Sequence, residues 1–207
     1  MKICFLCSPD QDLVYLSDNL CFALCGLGPV VKAYSVVATR KHIPSAADAV
    51  EGDVPEFLEF ALHVRAKLSN LFGSCLLTEH GRVPLCLDVS GMTDPHCFHA
   101  HFLLFPGAPD IEATACSYFA RTECATSLRE ALAVACQYDE YFLLSAHPDR
   151  FVVMTRPGRI IRQFARLLVA EAFGRSELAN WRRLSQYEEA AQTARELRNQ
   201  FNQWGRQ

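Results

Sequence analysis

No apolar run in the sequence approaches the ~18 residues that span a bilayer, so no membrane is expected as a partner. A basic excess is also missing: 20 Lys and Arg stand against 23 Asp and Glu, a formal charge of −3. Sequence-independent nucleic-acid binding needs a strong positive surplus to replace counterions on phosphates, which excludes that class. The opening residues, Met1-Lys2-Ile3-Cys4-Phe5-Leu6-Cys7-Ser8-Pro9-Asp10, hold too short an apolar stretch for a secretory signal. Without one, the ten cysteines read as reduced thiols in a cytoplasm rather than as disulfides. There is no internal repeat, no low-complexity tract and no clear linker.

What remains is ordinary globular material: 207 residues, half of them hydrophobic and about a fifth charged, enough for one substantial core. Leu13 to Tyr15 and Leu20 to Leu24 flank the turn-like Ser17-Asp18-Asn19 and predict a hairpin. Gly26-Leu27-Gly28-Pro29 breaks the chain, and Lys32 to Thr39 reads as a strand rich in Val, Tyr and Thr. Apolar residues at helical spacing predict a helix from Pro55 to Leu71, stopped by Gly73, before a strand over Cys75 to Thr78. Arg82 to Pro95 reads as a long loop of the kind that often carries function.

Beyond Pro106-Gly107-Ala108-Pro109, Ser127 to Gln137 is helical with Thr126 or Ser127 as cap. Tyr141 to Ser145 and Phe151 to Thr155 form a hairpin, and Arg159 to Phe173 and Ser185 to Gln203 are amphipathic helices. The economical fold is α+β, with residues 1–110 as core and 111–207 as an extension packed on it in one structural domain. Most cysteines, including Cys21, Cys25, Cys75, Cys116 and Cys136, sit in apolar runs as small core residues.

The chemistry gathers elsewhere. His99-Ala100-His101-Phe102-Leu103-Leu104-Phe105-Pro106 places two histidines at i, i+2, which on a strand point to one face. Imidazole serves near neutral pH as nucleophile, base or metal ligand; the plainer reading is two polar residues on a solvated face. Cys4-Phe5-Leu6-Cys7 is a CxxC that can grip one zinc ion if histidines complete the tetrahedron, or is simply a pair of half-buried thiols. A redox role is disfavoured because Ser8-Pro9-Asp10 follows where a helix should open. His42 in Arg40-Lys41-His42-Ile43-Pro44-Ser45 stands at a strand exit, as does His80 in Glu79-His80-Gly81. Arg159, Arg162 and Arg166 share one helix face, either meeting phosphate or forming a solvated basic surface.

In this order, these pieces resemble the histidine triad (HIT) family of nucleotide hydrolases and transferases. The resemblance runs from the CxxC through Asp18-Asn19-Leu20-Cys21-Phe22, Lys41-His42 and Glu79-His80-Gly81. The H-φ-H-φ-H-φ-φ signature then falls on His99-Ala100-His101-Phe102-Leu103-Leu104-Phe105, closed by Pro106. Gln163-Phe164-Ala165-Arg166 and Asn180-Trp181-Arg182-Arg183 look like the extension of a bacterial branch.

The resemblance implies an antiparallel sheet flanked by helices, with a C-terminal helical extension. It also implies an enzyme acting at the α-phosphate of a nucleotide or nucleotide conjugate. His101 is the implied nucleophile, forming a nucleotidyl-histidine that water or a second acceptor resolves. A backbone carbonyl is expected to hold its Nδ1–H. The resemblance implies structural zinc on Cys4, Cys7, His42 and His99. Asn19 and Phe22 match positions near the base and ribose. His96, Gln163 and Arg166 are candidates for the phosphate, and a homodimer is implied by analogy. One position departs: Leu103 stands where the third histidine belongs, and leucine donates no hydrogen bond. Losing such a contact costs on the order of 10²–10³ in rate unless something replaces it. The alternative is a HIT-like nucleotide- or partner-binding protein that has lost turnover.

Overall fold

The computed structural model describes residues 4–52, 54–82, 85–87, 93–95, 98–157 and 163–204. The first hairpin pairs β1 (Val14–Ser17) with β2 (Cys21–Cys25), and its turn is built by Asp18. The Asp18 carboxylate accepts from the Leu20 and Cys21 N–H groups, both at 2.7 Å, an Asx turn of the kind the sequence cluster predicts. The next strand, β3 (Ser35–Thr39), starts later than the β-rich run from Lys32. Ala33 takes a left-handed φ of 60°, and the Tyr34 N–H turns back to the Val31 carbonyl, so the first residues of that run form a turn.

Two helices follow, α1 (Ala46–Glu51) and α2 (Glu56–Phe72), before β4 (Cys75–Gly81). The stretch expected as a long loop contains two short paired strands, β5 (Leu85–Leu87) and β6 (Thr93–Pro95). The histidine-bearing strand is β7 (His101–Pro106). It begins at His101, so His99 lies in the residues leading into it rather than within it. Then come α3 (Glu112–Cys116), β8 (Phe119–Ala125), α4 (Leu128–Ala135), β9 (Tyr141–His147) and β10 (Arg150–Pro157).

Ser127 is the cap of α4: its hydroxyl accepts from the Glu130 N–H while the Glu130 carboxylate takes the Thr126 N–H, a reciprocal capping arrangement. The last helices are α5 (Phe164–Ala172) and α6 (Tyr187–Trp204), separated by a 3-10 turn over Ser176–Ala179. Helix α5 does not begin at Arg159 as its periodicity suggests. Gln163 stands at φ 59°, a left-handed conformation that cannot continue a right-handed helix backward.

One antiparallel sheet of eight strands, ordered β1-β2-β3-β7-β4-β9-β10-β8, runs through both halves of the chain. The fold is therefore α+β with helices on an antiparallel sheet. Helices α1, α2 and α4 cover one face, with Phe57 stacked on Phe102 at 5.1 Å. The buried Arg65 reaches from α2 into this layer, donating to the carbonyls of Cys75 and Ser145 at 2.9 and 3.0 Å. Cys21, Cys25 and Cys75 are fully buried, and burial pushes each thiol up to about 12, so they serve as core residues.

On the other face, Phe164 at the start of α5 packs edge-on to Phe142 at 5.1 Å. Helix α6 runs along the free edge of β1, where Arg198 donates to the carbonyls of Val14, Gln11 and Asp12. The opposite edge, β8, exposes charged side chains, including the Arg121–Glu123 ion pair at 3.0 Å. Among the described residues no helix is long and apolar enough to cross a membrane.

Candidate active site and metal centre

Three separate pieces of chain deliver two thiols and two imidazoles to one point. Cys4 and Cys7 bracket a tight turn closed by the Cys7 N–H on the Cys4 carbonyl. His42 follows the exit of β3, where the Thr39 hydroxyl holds the Lys41 carbonyl at 2.8 Å. His99 precedes β7 and is fixed because the Ala100 backbone bonds both Ile43 and Thr39.

The ligand atoms of Cys4, Cys7, His42 and His99 all lie within 4.8 Å of one another. Cys4 Sγ is 3.3 Å and Cys7 Sγ 3.7 Å from His99 Nδ1, and Cys7 Sγ is 3.1 Å from His42 Nδ1. A tetrahedral zinc with S and N ligands has ligand–ligand separations of roughly 3.3–3.8 Å; the two distances to His99 fall in that range and the 3.1 Å between Cys7 and His42 lies just below it. His99 Nε2 donates to the Thr39 carbonyl at 2.7 Å, leaving the lone pair of the neutral ring on Nδ1, toward the thiols. Burial lowers the basicity of His99 and favours that neutral, ligating form. The residues fit a four-coordinate S₂N₂ metal site.

Beside this cluster a cavity of about 1150 Å³ opens on the sheet face opposite α2. Its floor follows the cross-strand row Leu24–Val36–Leu103–Thr78, with Phe142 further along. Cys4 and His42 reach its rim, so the metal centre adjoins it. His101 lines it from the first residue of β7. Its Nδ1 lies 2.6 Å from the His99 carbonyl. The carbonyl makes Nδ1 the protonated nitrogen and leaves the lone pair of the neutral ring on Nε2. Leu103, two residues on, contributes only an apolar surface, and the Thr78 hydroxyl opposite it is buried with no hydrogen-bond partner among the described residues.

The expected phosphate and base residues fare differently. Arg166 borders the cavity, but its guanidinium donates to the carbonyls of Leu27, Gly28, Leu178 and Ala179 and lies 4.9 Å over the Tyr34 ring. It fastens the 3-10 turn to the Gly-Pro break instead of presenting a fork to a ligand. Gln163 also borders the cavity, and its Oε1 accepts from Arg166 Nε at 3.2 Å. Asn19 is exposed in the β1–β2 turn, and Phe22, although on the same face as Ala38 and His101, is completely covered. Neither lines the cavity, so the structure does not bring them to His101. His96, Arg159 and Arg162 lie outside the described residues.

Further residues line or brace the wall. Asp10 accepts from the Tyr187 hydroxyl at 2.8 Å, tying the N-terminal segment to the start of α6 across the cavity. Gly28, at φ 59°, bonds the Ser185 carbonyl through its N–H, and a Cβ there would lie 2.6 Å from the Leu184 carbonyl. His80, on β4, faces the cavity and packs edge-on to Phe142 at 5.6 Å. Alternation along Thr78-Glu79-His80 was the available signal, since it sets Thr78 and His80 on the face opposite Glu79. Glu79 is buried among the helices, accepting from the Ala46 N–H at 2.6 Å and the Tyr141 hydroxyl at 2.7 Å, and burial raises its carboxyl to about 7.

No family model matches the chain, and no curated protein matches it. Among solved structures, it is similar to yeast Ap4A phosphorylase Apa2 in complex with Ap4A. That alignment has a TM-score of 0.43 and 14% identity, over 72% of this chain and 62% of that one. The complex of the same enzyme with AMP aligns with a TM-score of 0.40 and 16% identity over the same shares. The chain thus spans less than two thirds of that enzyme's length, and the likeness is one of coarse fold, from which no residue role is transferred.

Proposed function

We propose that this chain is a nucleotide-dependent hydrolase or nucleotidyltransferase that works at the α-phosphate through a nucleotidyl-histidine on His101. The observation that carries this reading is His101 on the wall of the large cavity, its Nδ1 held by the His99 carbonyl. In this tautomer Nε2 carries the lone pair and attacks phosphorus; a P–N bond forms and the bond to the leaving group breaks. Water, or a second acceptor, then attacks the phosphorus and the P–N bond breaks, regenerating imidazole. Cys4, Cys7, His42 and His99 would hold zinc, which with four protein ligands supplies rigidity rather than an open coordination position. The cluster steadies the backbone leading into β7, and with it the His99 carbonyl that orients the nucleophile.

The apolar Leu103 on the cavity floor favours a second reading, a binding protein without turnover. Intact-mass measurement after mixing the protein with nucleoside phosphoramidates and dinucleoside polyphosphates separates the two. A nucleotidyl adduct or released monophosphate, absent in His101→Ala, is the expected result. Silence across the panel in folded, zinc-loaded protein would overturn the enzymatic reading.

A further inference from the structure

Chemistry at phosphorus needs more than a nucleophile: a poor leaving group departs only if a proton reaches it. Strands β4 and β7 pair antiparallel through Leu77↔Leu104 and Thr78↔Leu103. The ladder ends there, and strand alternation puts His80 on the face of Thr78 and His101 on the face of Leu103, so both histidines look onto the same side of the sheet and line the same cavity. The backbone on each side of His80 is pinned. Glu79 is anchored to α1 and to Tyr141 by two hydrogen bonds. Gly81 abuts the Tyr141 ring so closely that a Cβ would lie 2.1 Å from it. The ring itself rests edge-on against Phe142. The position is thus held by packing, as a reacting group requires.

Cys4 and His42 belong to the metal cluster, and Asp10 and Tyr187 are bonded to each other. We infer that His80 is a second catalytic residue, the proton donor to the leaving group and then the base for the incoming acceptor; the inference rests on His101 being the nucleophile. As His101 Nε2 bonds to phosphorus, the P–O bond to the leaving oxygen breaks. Its electron pair stays on that oxygen, which takes a proton from the His80 imidazolium. In the second half, neutral His80 removes a proton from water as the water oxygen bonds to phosphorus. The P–N bond breaks and returns its pair to His101. This places the missing polar function on the strand next to Leu103 rather than on β7.

The test uses aryl esters of adenosine, guanosine, cytidine and uridine 5′-monophosphates, graded from p-nitrophenyl to unsubstituted phenyl, with the full-length protein. In His80→Gln and His80→Asn the loss of kcat/KM, which reports only the steps up to departure of the leaving group, is expected to grow along the series, from within ~3-fold for p-nitrophenyl to ~10²-fold or more for phenyl. A loss equal across the series, as a misfolded or merely repacked variant gives, overturns the assignment, as does no loss. If the wild-type protein forms no adduct on His101 from any of the esters, both this inference and the reading beneath it fall. An adduct with no leaving-group trend removes His80 alone.

Discussion

At the scale of single residues, strand β4 turns His80 to the cavity and its neighbour Glu79 to the core. Glu79 is a buried carboxyl held at about 7, far above the 4.5 of an exposed glutamate, because burial penalises its charge. Between those values the folded chain keeps a proton that the unfolded chain has released. Stability contributed by this group is therefore full below about pH 4.5 and lost as pH rises through about 7. The span corresponds to on the order of 3 kcal/mol, at ~1.4 kcal/mol per unit. Glu79→Gln keeps an acceptor for the Ala46 N–H, donates to the Tyr141 oxygen in place of accepting from it, and carries no charge. Its denaturant midpoint relative to wild type is expected to rise between pH 5 and pH 8; an unchanged difference would refute the assignment. The resemblance named the four residues that cluster as a candidate metal site and His101, which lines the cavity. Which arginine is sequestered was not legible: Arg166 and a solvated arginine look alike in a sequence, because burial is a property of what folds over them.

Among the elements, those with strong periodicity appear close to where the sequence places them. The helix expected over Pro55 to Leu71 is Glu56–Phe72, and that expected over Ser185 to Gln203 is Tyr187–Trp204. Helices α1 and α3 went unpredicted because five or six residues hold too little periodicity to register. Strand β8 did so because it is an edge strand, exposed along most of its length, with no apolar alternation to mark it. The segment from α5 through the 3-10 turn is a cover on the cavity, fastened by Arg166 to Leu27 and Gly28. A lysine carries one compact ammonium and cannot bridge carbonyls on two separate segments. Arg166→Lys is expected to cost on the order of 2–3 kcal/mol, the penalty for buried carbonyls left without a donor, and to speed proteolytic cutting between residues 174 and 186. Wild-type cleavage rates in that variant would show that the guanidinium is not the fastening.

For the molecule as a whole, the S₂N₂ cluster joins the N-terminal turn, the exit of β3 and the lead-in to β7, so a bound ion would cross-link positions as far apart as 4 and 99. Removing zinc with a chelator is expected to lower Tm by roughly 6–12 °C, from ~3 kcal/mol at 2–4 °C per kcal/mol for a chain of this size. Cys7→Ser should lower Tm similarly and become insensitive to the chelator. A chelator-indifferent Tm in zinc-loaded protein would exclude a stabilising ion. The two rims of the open sheet bear on a different matter, how copies of this chain can meet. On one rim Arg198 occupies the outward carbonyls near β1, and on the other β8 presents arginine and glutamate to water. Both arrangements disfavour the addition of a further strand. Copies of this chain are therefore expected to meet less readily by running one sheet into the next than through helices or the cavity mouth, and the same arrangement opposes fibrillar stacking at high concentration.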